Sequence, residues 1–207
     1  MRFIIALLIL LQYSCSDYPS ENKVVGIQPY NSFSEEKANM ISKTIADFYD
    51  VKTIILKDKL ISKKAFINVK SPRYRADSII LFQHRDIPDS LDFIIGLTSK
   101  DISTTKYKSG RKMVQPAYKY QDWGVMGLGY CPGNSCVVST FRIKHKDAAT
   151  VNVRLQKVAV HEFGHNLGLP HCKDKKCVMT DAVEKIATID NAKLALCYDC
   201  KMKIKKT

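Results

Sequence analysis

The chain has 207 residues, 45% hydrophobic and 26% charged, a balance that excludes a disordered or fibrous polypeptide and makes one globular domain the default. Its formal charge is +13, with lysines gathered in residues 57–64, 173–176 and 201–206. No helix-turn-helix, OB or RRM pattern accompanies them, so they read as solvated faces and nucleic acid is not an expected partner.

The N-terminus begins Met1-Arg2 and continues without a charge from Phe3 to Leu11, too short to span a bilayer but of the length of a secretory signal's apolar region. Leu11-Gln12-Tyr13-Ser14-Cys15-Ser16 then resembles a bacterial lipoprotein processing site. Residues 1–14 are therefore expected to be a signal peptide and Cys15 a lipidation site, with residues 15–22 a polar tether. That places the protein outside the cytoplasm, on a membrane of the bacterial cell envelope, with plain secretion as the alternative.

Residues 23–30, with Val24, Val25 and Ile27, predict a first strand. Ser34 followed by Glu35 and Glu36 predicts a capped helix with Ala38, Ile41, Ile45 and Phe48 on its apolar face. The branched run 51–56 reads as a strand buried on both sides, residues 72–83 as a second helix and residues 91–97 as a third strand. Residues 98–122 lose periodicity and read as a long loop. Segments 124–130 and 137–143 look like an edge hairpin around Cys131-Pro132-Gly133-Asn134-Ser135-Cys136, with Cys131 and Cys136 expected to close the turn as a disulfide. Thr150 is the expected cap of a helix carrying Val151, Leu155 and Val158, and residues 191–198 read as a last helix. Three parallel strands, an edge hairpin and that long helix make an α/β domain over residues 23–207.

The long helix leads into His161-Glu162-Phe163-Gly164-His165 and then Gly168 and His171, which reads H-E-x-x-H-x-x-G-x-x-H. Histidines four apart project from one helical face, so His161 and His165 are placed to grip one metal ion. Zinc suits imidazole nitrogen, and Glu162 stands beside the first ligand, where its carboxylate reaches a water on the metal without ligating. Gly168 lets the helix stop, and His171 returns as third ligand. Three histidines leave one coordination position open, the arrangement of catalytic zinc, in which Glu162 would take the proton of a zinc-bound water that attacks a peptide carbonyl. His84 and His145 have no neighbour at ligand spacing and are not expected to bind metal. Cys172, Cys177, Cys197 and Cys200 follow as two close pairs, the pattern of a four-thiolate structural zinc site. Two disulfides are the rival, given export into an oxidising space.

From His161 to Cys200 the chain reads H-E-x-x-H-x-x-G-x-x-H-C-x4-C-x-M-x17-C-x-x-C, which resembles the signature of the archaemetzincins, a branch of the metzincin zinc peptidases. The match is tight over the C-terminal fifth. Residues 98–101, 124–129 and 137–143 resemble the family's central segments more loosely. The resemblance implies a metzincin-like single domain with a small mixed sheet, helices and a zinc-binding active-site helix, acting on a peptide or protein substrate. It implies a catalytic zinc on His161, His165 and His171, Glu162 as general base, Met179 in a turn beneath the metal, and a second zinc on the four late cysteines. The signal-like segment and the Cys131 to Cys136 insert depart from a family mostly described as soluble and intracellular. A non-catalytic cell-surface zinc-binding or interaction module is the alternative, and turnover of peptide separates the two.

Overall fold

The computed structural model describes residues 23–108, 112–181 and 185–204. The expected signal peptide, Cys15 and the tether lie outside these residues.

β1 (Val24–Pro29) enters the interior and is followed by α1 (Glu35–Tyr49), whose N-cap is Ser34, its side chain accepting from the Lys37 N–H. The helix buries Ala38, Ile41, Ile45 and Tyr49, so the last core contact comes from Tyr49 while Phe48 packs at the margin. β2 (Lys52–Ile55) pairs parallel with β1 but is the outermost strand, and Ile54 and Ile55 stay exposed. The doubly buried strand expected there is corrected: its branched residues report strand propensity, which an edge strand satisfies equally well.

A one-turn 3-10 helix (Lys63–Ala65) leads into β3 (Phe66–Asn68) and β4 (Pro72–Arg75), and α2 (Ala76–Arg85) follows at once. The expected helix therefore starts four residues later than read, because 72–75 are drawn into a second sheet by pairing with β3 and with Ile102 and Ser103. β5 (Phe93–Thr98) returns to the first sheet beside β1. The stretch read as a loop contains β6 (Ile102–Thr104) and the short α3 (Ala117–Tyr120), pieces too brief to show periodicity. β7 (Trp123–Val125) completes the four-stranded sheet in the order β3-β4-β6-β7.

β8 (Gly127–Gly129) and β9 (Ser135–Ser139) form a hairpin where one was expected, but with shorter strands: 124 and 125 belong to β7 in the other sheet, and the strand read over 137–143 ends at Ser139. β9 also pairs parallel with β5, so the main sheet runs β2-β1-β5-β9-β8, four parallel strands and one antiparallel edge. Alternation along the strands feeds two cores. Val25, Ile27, Cys136 and Val138 face α1 and the long helix α4 (Ala148–Asn166), while Val137 faces Ile79 and Ile80 of α2. The expected Cys131 to Cys136 disulfide is not formed. The pleat buries Cys136 completely in the α4 core, whereas Cys131 sits in the turn itself and its thiol donates to the Leu169 carbonyl at 3.4 Å.

Residues 191–198 do not form one helix. α5 (Ile186–Asn191) ends at Asn191 and α6 (Tyr198–Ile204) begins at Tyr198, and the segment 192–197 between them delivers Cys197. Among the described residues no helix is long and apolar enough to cross a membrane.

Candidate active site and metal centre

α4 is the platform. Its N-cap is Asp147 rather than Thr150: the Asp147 carboxylate accepts from the Ala149 and Thr150 N–H groups at 3.1 and 3.0 Å, and the Thr150 hydroxyl donates to the same carboxylate at 2.6 Å. An aspartate three residues upstream leaves the carboxylate oxygens free to fold back on the open end, and these bonds hold its pKa below the ordinary range. Arg154 then donates to both oxygens of Asp190 at 2.7 Å and to the Ile143 and Lys144 carbonyls, clamping the helix to α5 and to the segment after β9.

Further along, the helix is pressed from below. A Cβ on Gly164 would stand 2.5 Å from the Met179 sulfur and 2.8 Å from the Tyr49 hydroxyl, so glycine is what lets both approach. Tyr49 donates to the Val160 carbonyl at 2.7 Å, and Met179 is fully buried. Gly168 adopts φ +84°, and the N–H groups of Gly168 and Leu169 donate to the His165 and Gly164 carbonyls, ending the helix in a left-handed cap.

These local choices orient the imidazoles. His161 Nδ1 lies 2.8 Å from the Val178 carbonyl and His165 Nδ1 lies 2.7 Å from the Leu169 carbonyl. A carbonyl only accepts, so each ring carries its proton on Nδ1 and leaves Nε2 as a lone pair. Those two Nε2 atoms face each other at 3.0 Å. Burial pushes the His161 pKa down to about 3 and lowers that of His165, so no proton relieves the opposed lone pairs. A cation between them does. Nitrogen ligands at about 2.0 Å from a tetrahedral zinc stand about 3.3 Å apart, so the donor set fits that ion. His171, half exposed beyond the helix cap, completes the cluster; its ring centroid is 5.3 Å from that of His161 and 4.8 Å from that of His165. One candidate ligand atom from each of the three lies within 4.8 Å of the others.

Glu162 faces the same cleft, about 380 Å³ in volume, from between the histidines and β8. Burial pushes its carboxyl up to about 8, against the lowering effect of a hydrogen bond from the Gly129 N–H. β8 comes this close only because it is a glycine strand: a Cβ on Gly127 would sit 2.6 Å from Glu162 Cγ, and one on Gly129 2.5 Å from the Glu162 carbonyl oxygen.

The four cysteine sulfurs also gather within 4.8 Å of one another as free thiols. Cys172 and Cys197 sulfurs are 3.6 Å apart, close to the edge of about 3.8 Å expected for tetrahedral bonds of about 2.3 Å. The Cys197 N–H donates to the Cys177 sulfur at 3.3 Å. The two clusters share a frame, because the Cys172 N–H donates to the Met179 carbonyl at 2.8 Å and Val178 next to it holds His161. His84 and His145 stand apart, His84 beside Asn134 and His145 accepting from the Asp147 N–H.

Sequence reasoning missed several residues that shape this site. Asn166 donates to the Tyr130 and Ser135 carbonyls and pins the hairpin turn to α4. Lys106, Thr180 and Asp181 line the cleft. The G-x-G of β8 was a visible signal; Lys106 lies in the stretch without periodicity and left none.

The sequence and the fold both have known relatives. The model of Peptidase family M54 matches residues 45–206. An archaemetzincin of Haloquadratum walsbyi is 28% identical over 187 residues, covering 86% of this chain and 96% of that protein. The crystal structure of archaemetzincin from Methanopyrus kandleri superposes with a TM-score of 0.71 at 21% identity, over 91% of this chain and 96% of that one. That of the Archaeoglobus fulgidus archaemetzincin, complexed with malonate, gives 0.67 at 25% identity, over 87% and 99%. With the family match running through both clusters, the chain belongs to peptidase family M54, the archaemetzincin family of zinc metallopeptidases.

Proposed function

We propose that the chain hydrolyses peptide bonds with Glu162 as general base, at a zinc held by His161, His165 and His171, and that Cys172, Cys177, Cys197 and Cys200 hold a second, structural zinc. The observation that carries the reading is a buried carboxyl beside three convergent imidazoles in an open cleft. A site serving structure alone has no use for such a group, which argues against a non-catalytic interaction module. Zinc in the histidine cage supplies a Lewis acid that acidifies water and polarises a carbonyl. The chain does the rest. The Val178 and Leu169 carbonyls hold the Nδ1 protons and so keep both Nε2 lone pairs aimed inward. Glu162 takes a proton from the attacking water and returns it to the leaving amine; the Gly129 N–H steadies the carboxylate form that starts and ends this cycle. β8 is the edge of the main sheet beside the cleft, so its outer edge is placed to align an extended peptide by strand addition.

The test is release of product from a fluorogenic peptide library, with Glu162→Gln as control. Turnover should fall by roughly 10² to 10⁴ in the variant while zinc content stays at two per chain. Equal release by both proteins sinks the peptidase reading. The apolar segment of residues 3–11 and Cys15 support a further part of the proposal, an exported protein anchored to the cell envelope through lipid on Cys15. Cys15→Ala should move the protein from the membrane to the soluble fraction, and an unchanged distribution removes the anchor.

A further inference from the structure

Beside the catalytic cleft lies a second cavity of about 590 Å³, and Met126 lines both. The chemistry changes across that methionine. Lys70, Arg73, Lys119, Arg142 and Lys185 all contribute to the second cavity, while Asp122 lines it with them and Asp101, outside the lining, pairs with two of them. Asp101 accepts from Arg142 at 2.7 and 2.8 Å and pairs with Arg73 at 3.3 Å; Asp122 faces Arg73 across 3.6 Å. Five cations against two anions leave the cavity positive.

Arg142 is the built part of it. Asp101 engages Nε and one terminal nitrogen of the guanidinium, which fixes its plane. That plane lies against β7 at Gly124, where a Cβ would stand 2.1 Å from the guanidinium carbon, so only glycine admits it. The guanidinium is held in place before any ligand arrives, and it remains about a third exposed. A preorganised guanidinium among lysines recognises a carboxylate through charge-assisted hydrogen bonds. Trp123, on the same wall, adds an indole N–H that is buried without an acceptor among the described residues. Such a donor is costly to leave unmade and an incoming acceptor would satisfy it.

The placement relates this cavity to the reaction. Gly127 abuts Glu162 and Gly124 abuts Arg142. Met126 between them is a bend where the chain passes from one sheet to the other, so the three residues span at most about 10 Å.

We infer that this cavity is a carboxylate subsite of the peptidase, so that the enzyme favours peptides carrying a carboxylate within about three residues to one side of the bond it cuts. The inference rests on the peptidase reading above. Two sources present that group: an aspartate or glutamate side chain, and the free C-terminus of a short peptide.

The experiment uses a neutral quenched-fluorescent peptide, versions with a single Asp moved along it, the matching Asn versions, and each peptide as free acid and as amide. Cleavage is measured together with the emission of Trp123, the chain's only tryptophan, during titration of the Glu162→Gln protein. A carboxylate on one side of the bond should raise kcat/KM on the order of tenfold over its Asn or amide partner. The same peptides should give a saturable Trp123 response. In Lys119→Glu/Lys185→Glu the ratio of acidic to neutral cleavage should fall to about one; because the ratio is internal to each protein, loss of folded material does not imitate it. Gain from Asp in amidated peptides identifies the side chain as source, and gain only with the free acid identifies the C-terminus. Neutral and acidic peptides cleaved alike, or a preference that survives the double reversal, overturn the subsite and leave the peptidase standing. Acidic peptides that move Trp123 emission but are never cut overturn the peptidase and leave the carboxylate site standing.

Discussion

The histidine and cysteine clusters lie on either side of one short turn and gather their donor atoms to the same tolerance, yet they are built for opposite ends. The histidine cluster offers three donors, opens on a cleft and keeps a buried carboxyl beside it. The cysteine cluster offers four and is not among the residues lining that cleft. Ligand count and access separate the two: three leave a position for a reactant, four close the shell. Residues 177–180 serve both. Cys177 belongs to one cluster, the Val178 carbonyl orients His161 of the other, and Met179 supports the helix beneath.

The largest effect should come from opening the closed site. Cys200→Ser removes a donor from a cluster that joins residues 172–177 to α6, and stability should fall on the order of 5 kcal/mol, read by chemical denaturation. Activity should drop with it, because Cys172 follows His171 directly. A variant that loses zinc yet melts with the parent breaks the idea that this cluster is structural.

Chelation sharpens the contrast without mutation. The three-donor site with a half-exposed His171 should release zinc first and the four-thiolate site later, giving two phases with a colorimetric indicator, activity vanishing in the first. One simultaneous phase would show the sites to be coupled.

Gly164→Ala tests the frame they share. Its Cβ would press on the Met179 sulfur and the Tyr49 hydroxyl, so a loss of about 1 to 3 kcal/mol and a lowered kcat are expected, measured by denaturation and peptide cleavage. The smallest effect is Asp147→Ala, which uncaps α4 far from both clusters. It should cost about 1 kcal/mol with zinc content and kcat unchanged.

Legibility followed the range of the interactions. α1, its Ser34 cap and the C-terminal end of α4 were readable because propensity, capping and periodicity act within a few residues. The burial of 51–56 was misread because a branched run looks the same at a sheet edge as at its centre. Pro72 to Arg75 were misassigned because their partners lie in β3 and β6. Thr150 was read as the cap and Asp147 went unnoticed, because a threonine at the start of an apolar pattern suits a cap and only the backbone turn shows that the carboxylate three residues upstream takes the role. The candidate site divides in the same way. Histidine spacing and cysteine pairs were visible, whereas the cavity built by Lys70, Gly124, Arg142 and Lys185 joins four distant segments.

By itself the sequence determined the donors and their local geometry: imidazoles one helical turn apart, a carboxylate next to the first, a glycine that ends the helix, and two cysteine pairs. These depend on contacts within a turn or two of chain. Tertiary structure alone decided which tautomer each histidine keeps, through the Val178 and Leu169 carbonyls, and how deeply Glu162 is buried by the glycines of β8. It also left Cys131 and Cys136 apart, because the pleat of β9 turns Cys136 into the core while Cys131 faces the loop that carries Leu169. Packing between segments far apart in the chain sets these features, and no local pattern encodes it.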